Sequence, residues 1–331
     1  MRTLTIAEAV REALSEELRR DPTTFLMGED VAGAGGAFKA TLGLLDEFGP
    51  ERVRDTPIAE AGFVGLGVGA ALTGCRPIVE IMFGDFLTLA MDQIINQACK
   101  LRYMSGGQAK VPLTIRTTLG AGRSSAAQHS QSLHAWFAHM PGVKVAMPST
   151  PADAKGLLKT AIRDDNPCII FEDKMMYQLE GEVPEEEYTI AFGQADIKRE
   201  GSDVTIVATS SMVQVALEAA NELESDGISA EVVDPRTLVP LDRATIVKSV
   251  QKTGRALVID EGHLKYGTTA ELSAVIQEEA FDYLDAPVAR IGATDVPVPF
   301  STSLEFETIP NEEKVVTAVK GMWGPEGKRN G

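Results

Sequence analysis

The chain has 331 residues, 44% of them apolar and 24% charged, a globular composition with room for two domains of ordinary size. Its net charge of −17 argues against a nucleic-acid or anionic-membrane surface, either of which needs a basic patch. No apolar run reaches the roughly 18 residues of a spanning helix, no cleavable leader is visible, and Cys75, Cys99 and Cys168 show no Cys-x-x-Cys spacing, so a reducing compartment, the cytoplasm, is the expectation.

Thr5-x-x-Glu8 has the capping-box pattern, and Ile6, Val10, Leu14 and Leu18 follow at helical intervals, predicting an amphipathic helix that ends before Asp21-Pro22. A short strand, Thr24 to Met27, leads into Gly28-Glu29-Asp30. The glycine loop at Gly33 to Gly36 has no following Gly-Lys-Ser/Thr and reads as a mobile loop. Thr56-Pro57 reads as the start of a helix that runs through small apolar residues to Leu72. A strand at Arg76 to Met82, a long helix from Leu87 to about Tyr103 and a strand at Val111 to Thr117 come next. Leu119 to Ser130 is a loop of Gly, Ser and Ala with Arg123 as its one charge. Helix Leu133–His139, strand Val143–Met147, helix Pro151–Arg163 and strand Cys168–Phe171 complete a βα alternation, the pattern of a mostly parallel sheet covered on both faces.

Glu180 to Tyr188 is acidic, contains Pro184 and reads as a linker, dividing the chain into 1–188 and 189–331. Beyond it the same rhythm resumes, with strands at Val204–Ala208, Ala230–Val233, Ala256–Ile259 and Val288–Ile291. Helices are expected at Met212–Leu223, Arg243–Val250, Thr269–Ala280 and from the cap Asn311 to about Lys320. Gly324 to Gly331 is expected to fray.

Glu60 is one carboxylate between a Pro-led turn and a run carrying Gly62, Gly65, Gly67 and Gly69. Each such glycine disfavours a helix by roughly 1 kcal/mol relative to Ala, so close backbone approach to a neighbour is implied. On pattern alone Glu60 is either a first-turn charge favoured by the helix dipole or a buried functional acid. Gly65-x-Gly67-x-Gly69 is not a dinucleotide fingerprint, because it lies inside the run rather than at a strand-to-helix turn. His129, His134 and His139 recur every five residues, which turns each about 140° from the last on a helix and rules out a shared metal face. His129 differs from the others in ending the low-charge loop, where either acid–base work or simple solvation suits it. No Gly-x-Ser-x-Gly elbow is present, which weakens a hydrolase reading.

Thr56-Pro57-Ile58-Ala59-Glu60, Tyr103-Met104-Ser105-Gly106-Gly107 and Ala127-Gln128-His129-Ser130-Gln131 together resemble a known family. So do Asp153-Ala154-Lys155-Gly156-Leu157, Ala161 to Pro167 and Arg236-Thr237-Leu238-x-Pro240-Leu241-Asp242. The chain resembles the beta subunit of the thiamine-diphosphate-dependent decarboxylating component of 2-oxo acid dehydrogenase complexes, in order from about Leu4 to Lys320. Ile81 to Phe86 and Arg116 to Ala121 look most like the acetoin dehydrogenase branch. The pyruvate and branched-chain branches are the alternatives.

The resemblance implies two doubly wound α/β domains, a pyrimidine-binding domain followed by a transketolase C-terminal-like domain. It also implies an α2β2 heterotetramer with an alpha subunit. The family's Gly-Asp-Gly motif for diphosphate and Mg2+ is missing here, where Gly84-Asp85 is followed by Phe86, so those ligands are expected on the alpha subunit. Carried over, Glu60 hydrogen-bonds the aminopyrimidine, Ile58, Met82 and Phe86 pack on it, and His129 assists acyl transfer to lipoamide. Leu113, Ala161, Ile162 and Asp164, through backbone carbonyls, and Asn166 match a potassium site of some relatives. Asp295 matches a region that docks the lipoyl acyltransferase component. From another class comes the reading of a non-catalytic α/β binding module, in which Glu60 is only a helix-start charge. Uptake of thiamine diphosphate by the chain mixed with its partner separates the two.

Overall fold

A computed structural model describes residues 1–323; Gly324–Gly331, expected to fray, lies outside the described residues. The chain forms two α/β units. The first comprises Met1–Gly120, Gln128–Phe192 and Thr237–Pro240, and the second Ala121–Ala127, Gly193–Arg236 and the chain from Leu241.

The first unit is built on a seven-stranded sheet. Its order is Thr237–Val239, Lys144–Ala146, Cys168–Asp173, Thr114–Leu119, Arg76–Ile81, Thr24–Gly28, Val53–Asp55. All neighbours run parallel except the edge strand Thr237–Val239. Alternate residues serve opposite faces, as strands covered on both sides require. Leu26, Ile78 and Ile170 join the core under helices Ile6–Arg20 and Pro151–Arg163, while Met27, Val79, Ile115 and Ile169 face helix Glu60–Leu72. The second unit has a five-stranded sheet, ordered Ala289–Ala293, Ala256–His263, Val204–Ala208, Ala230–Asp234, Asp196–Arg199, the last antiparallel. Helices Met212–Ser225 and Glu312–Gly321 contribute to one of its cores, Arg243–Thr253 and Thr268–Ala280 to the other.

Both halves of the Thr5–Glu8 capping box form, and the Thr5 hydroxyl accepts the Glu8 amide. Several elements depart from the sequence expectations. Glu180–Val183 is a strand, not a linker. It pairs antiparallel with Arg2–Thr5, and nearby Glu187 takes ion pairs from Lys159 and Arg163. Glu187 thereby partners Lys159, whose charge lies at 0% side-chain exposure. Thr56 does not cap a helix: its amide extends the sheet by donating to Gly28 O at 2.9 Å, and the helix begins only at Glu60. The helix expected from Leu87 starts with a tight turn at Gly84–Ala90 and widens over Asp92–Ala98 before regular α-helix at Cys99–Met104. Windings of this wide kind cluster at functional sites. The glycine loop read as mobile is closed by hydrogen bonds, the amides of Ala32 and Gly33 donating to Asp55.

Among the four glycines of the Glu60 helix, Gly67 is the one that this chain itself crowds. A Cβ there would stand 2.9 Å from Val79 Cγ2 and 3.1 Å from Leu113 Cδ1, so the helix lies against the sheet at that point. No helix among the described residues is long and apolar enough to cross a membrane.

Candidate active site

Every strand of the parallel array that runs from Cys168–Asp173 to Val53–Asp55 delivers a chemistry-bearing side chain just past its carboxyl end. Glu29 follows Thr24–Gly28, Glu60 opens the helix after Val53–Asp55, and Met82, Phe83 and Phe86 follow Arg76–Ile81. Lys174 follows Cys168–Asp173, and the loop leaving Thr114–Leu119 ends in His129. Open α/β sheets bind ligands outside the carboxyl ends of their strands, where helix and loop starts converge.

Glu60 is 4% exposed in the first turn of its helix, with the exposed Pro57-Ile58-Ala59 loop before it. Glu29 is its neighbour and is 8% exposed. Burial first, then the Glu60 charge and a hydrogen bond shared with the Glu60 carboxyl, push the Glu29 carboxyl up to about 7. Glu29 therefore holds its proton to higher pH than an ordinary carboxyl beside the Glu60 charge. Glu29 Oε1 and the Thr56 hydroxyl are both buried without a protein hydrogen-bond partner. Such orphaned atoms beside a pair of acids suit a polar heterocycle better than they suit a packed core.

His129 lies edge-on to two rings, with centroids 4.9 Å from Phe83 and 5.3 Å from Phe86. Its carbonyl accepts the buried Lys174 ammonium. Asp85 Oδ1 accepts the Gln131 backbone amide at 3.2 Å and its side-chain amide at 2.8 Å. The other histidines go elsewhere: His134 is buried with its ring 6.1 Å from Phe171, and His139 is exposed.

Beneath Phe83 lies a buried ion cluster. Arg116, 2% exposed, holds Glu172 through two bonds of 3.1 and 2.6 Å and also pairs with Glu80, while Tyr177 donates to Glu172 at 2.6 Å. Arg116 stands directly across the ladder from Glu80. Tyr177 stacks on Phe38 at 4.7 Å, and Phe38 meets Phe83 edge-on at 6.2 Å.

The family pattern described as transketolase, pyrimidine binding domain, matches residues 2–180, and that described as transketolase, C-terminal domain, matches 193–315. Acetoin:2,6-dichlorophenolindophenol oxidoreductase subunit beta of Bacillus subtilis (strain 168) is 48% identical, over 98% of both chains. Pyruvate dehydrogenase E1 component subunit beta of Rickettsia felis is 51% identical, over 96% of this chain and 97% of its own. The chain belongs to the transketolase-like E1 beta subunits. Among solved structures, one titled split gene transketolase, inactive beta4 tetramer, superposes with a TM-score of 0.78 at 27% identity, covering 96% of this chain and 98% of its own.

In this E1 beta subunit, the site residues expected from sequence fall into two groups. Phe86 and His129 meet directly, and Glu60 and Met82 share their edge of the sheet. Ile58 is 83% exposed, in the loop before the Glu60 helix. Leu113, Ala161, Ile162, Asp164 and Asn166 lie at the opposite edge, before strands Thr114–Leu119 and Cys168–Asp173. Protein donors already reach their oxygens. Arg76 donates to Ile162 O and Asp164 O at 3.2 and 2.9 Å, Cys168 N to Leu113 O, Asp164 N to Ala161 O, and Arg102 to Asn166 Oδ1. Two of these carbonyl oxygens, those of Ile162 and Asp164, thus already accept from the Arg76 guanidinium. Asp295 is exposed and paired with Lys265, which holds its carboxyl below the usual range.

Sequence reasoning assigned no role to Glu29 or Lys174. Each directly follows the end of a strand, so a sharper placement of strand ends would have singled them out. Glu29 also carries a pH signature. Its ordinary value is 4.5 and its folded value about 7. Between those values the folded chain retains a proton that the unfolded chain has lost, so the stability it lends is full below 4.5 and gone above 7. Glu29→Gln is therefore expected to narrow the gap between thermal midpoints at pH 5 and pH 8, chiefly by raising the pH 8 value. Equal gaps in variant and parent would contradict the raised value of Glu29.

Proposed function

We propose that this chain is the beta subunit of a thiamine-diphosphate-dependent acetoin dehydrogenase, working in an α2β2 heterotetramer with an alpha subunit. The reaction cleaves acetoin to acetaldehyde and a second two-carbon unit at the aldehyde level, which the oxidised lipoyl disulfide of the acyltransferase component takes up as acetyl on one sulfur while its other sulfur is reduced to a thiol. The observation that carries the catalytic reading is the buried Glu29–Glu60 carboxyl pair, with unpartnered polar atoms beside it, at the carboxyl edge of the sheet. It rests also on the named beta-subunit relatives over nearly the whole chain.

When bound, thiamine diphosphate would supply carbanion chemistry at the substrate carbonyl. The chain's own residues bind and orient it. Glu60 hydrogen-bonds the aminopyrimidine ring and, buried beside Glu29, can share a proton with a weakly basic nitrogen. Met82, Phe86 and the outward-facing Ile58 supply apolar packing for the ring. His129, braced by Phe83 and Phe86, serves the later transfer of the acetyl unit. Asp85 is committed to Gln131, so diphosphate and Mg2+ ligands are assigned to the alpha subunit. A potassium ion at Leu113, Ala161, Ile162, Asp164 and Asn166 would share carbonyls with Arg76, each of which has a second lone pair. The region around Asp295 is assigned to docking of the acyltransferase, and the compartment to the cytoplasm.

Acetoin is preferred for the likeness of Ile81–Phe86 and Arg116–Ala121 to that branch and for the Bacillus subtilis relative. Pyruvate is the second reading, favoured by the Rickettsia felis relative, with branched-chain 2-oxo acids behind it. One experiment addresses both substrate and partner: the chain is assayed alone and after reconstitution with its alpha subunit, on acetoin, pyruvate and a branched-chain 2-oxo acid. Turnover of acetoin by the heterotetramer, and none by the single chain with added thiamine diphosphate and Mg2+, is expected. Robust turnover by the single chain would sink the shared site. Preference for pyruvate would move the assignment to that branch. In parallel calorimetry, failure of the mixture to take up thiamine diphosphate would favour a binding module.

A further inference from the structure

The Phe83 and Phe86 rings fix the plane of the His129 imidazole, yet rings alone do not fix the main chain that carries it. In the loop before His129, Gly120, Gly122, Ser124 and Ala126 all have positive φ, between 50° and 97°. Carboxylates accept its early amides, Glu261 from Ala121 and Glu305 from Gly122 and Ser124, whereas the end that returns to His129 is held from elsewhere. Non-glycine residues hold such a backbone only where surrounding interactions impose it. Lys174 closes the mouth of this loop. Its amide donates to Leu119 O at 3.2 Å, where the loop leaves the sheet, and its ammonium donates to His129 O, where the loop returns. The same ammonium lies 5.8 Å from the centroid of Phe83, the ring nearest the imidazole. Lys174 is 3% exposed, and a charge so buried is retained only when closely partnered. From the other side Asp85, 6% exposed, grips Gln131 twice, two residues beyond His129.

We propose that Lys174 and Asp85 are positioning residues that clamp the His129 turn between a buried cation and a buried carboxylate, acting on turnover through His129. This rests on the functional reading of His129 given above. Neither residue has to touch the substrate. Their work is to keep the imidazole where it meets the reacting atoms, and a displacement of about 1 Å at such a group can lower the rate up to a hundredfold.

The test is a double-mutant cycle in the reconstituted heterotetramer. Lys174→Met is expected to lower kcat about tenfold while KM stays within about twofold, and Lys174→Arg, which keeps charge and donor, to recover part of the loss. In a His129→Ala background, Lys174→Met is expected to change kcat by less than about twofold, because the group it positions is gone. Asp85→Asn, which keeps one acceptor oxygen, gives a second arm should Lys174→Met not assemble; its smaller loss is likewise expected to vanish without His129. An equal loss in both backgrounds, or unchanged kcat for Lys174→Met and Asp85→Asn alone, would overturn the clamp. Full activity of His129→Ala overturns the role of His129 and the clamp with it, while leaving the dependence on Glu60 in place.

Discussion

Glu60→Gln is expected to lower turnover of the reconstituted heterotetramer by at least a hundredfold while leaving assembly and fold intact. Gln has nearly the same shape and can still accept a hydrogen bond, but it cannot take or give the proton. Loss of a positioned proton-transfer group typically lowers rates by about 10²–10⁴-fold. The structural consequences are small and opposed. Removing a first-turn charge forfeits about 0.3–1 kcal/mol of favourable interaction with the helix dipole. Against this, the change removes the like charge that helps raise Glu29, so the buried pair is relieved. Unchanged circular dichroism together with turnover near the parent level would refute the role of Glu60. Glu29→Gln provides the contrast, since it removes one member of the pair and leaves the other in place.

Arg116→Leu is expected to produce the largest loss of stability, about 3–5 kcal/mol, read as a lower denaturant midpoint for the transition of the first unit. Its guanidinium is the partner of both Glu80 and Glu172, and all three are at most 8% exposed. Deleting it strands two carboxylates in the core. Burial already pushes Glu80 up from its ordinary value, with the Arg116 charge opposing that rise. Without Arg116 the Glu80 carboxyl retains its proton at a pH where the unfolded chain has released it. The variant's deficit should therefore grow as pH rises from the acid side toward neutrality. Arg116→Leu combined with Glu80→Gln and Glu172→Gln should recover much of the loss. A single variant as stable as the parent at pH 8 would show that the cluster contributes nothing to the fold. Through Tyr177, Phe38 and Phe83 the same cluster also backs the ring against His129, so reduced activity is expected to accompany the lost stability.

The second of these expectations bears on substrate choice. Arg116 belongs to the Arg116–Ala121 stretch whose likeness favours the acetoin branch, yet its guanidinium is spent on core ion pairs.

Local signals of two kinds carried straight through from sequence to structure. Capping chemistry did so at Thr5–Glu8 and at Asn311, because a cap is settled within four residues and needs nothing from the rest of the chain. Central parallel strands did so too, since burial on both faces favours continuous apolar runs such as Cys168 to Phe171. Short edge strands escaped notice. Arg2–Thr5, Glu180–Val183, Asp196–Arg199 and Thr237–Val239 are polar or brief, and distant partners define them rather than any period of their own.

The opening of the Glu60 helix shows where that division falls. Thr56-Pro57 has the composition of a helix start, but Thr56 extends the sheet by bonding to Gly28, and the helix begins at Glu60 itself. That shift of four residues sets the carboxylate into the first turn and buries it. The sequence by itself determined the α/β alternation, the family, and Glu60 and His129 as the groups to watch. Only the tertiary structure decided that burial and the Glu60 charge raise Glu29, that Lys174 and Asp85 hold the turn of His129, and that Arg76 already bonds carbonyls expected for a cation. Each of these joins residues from different strands, and such interactions are set by sheet order and register, which no local pattern encodes.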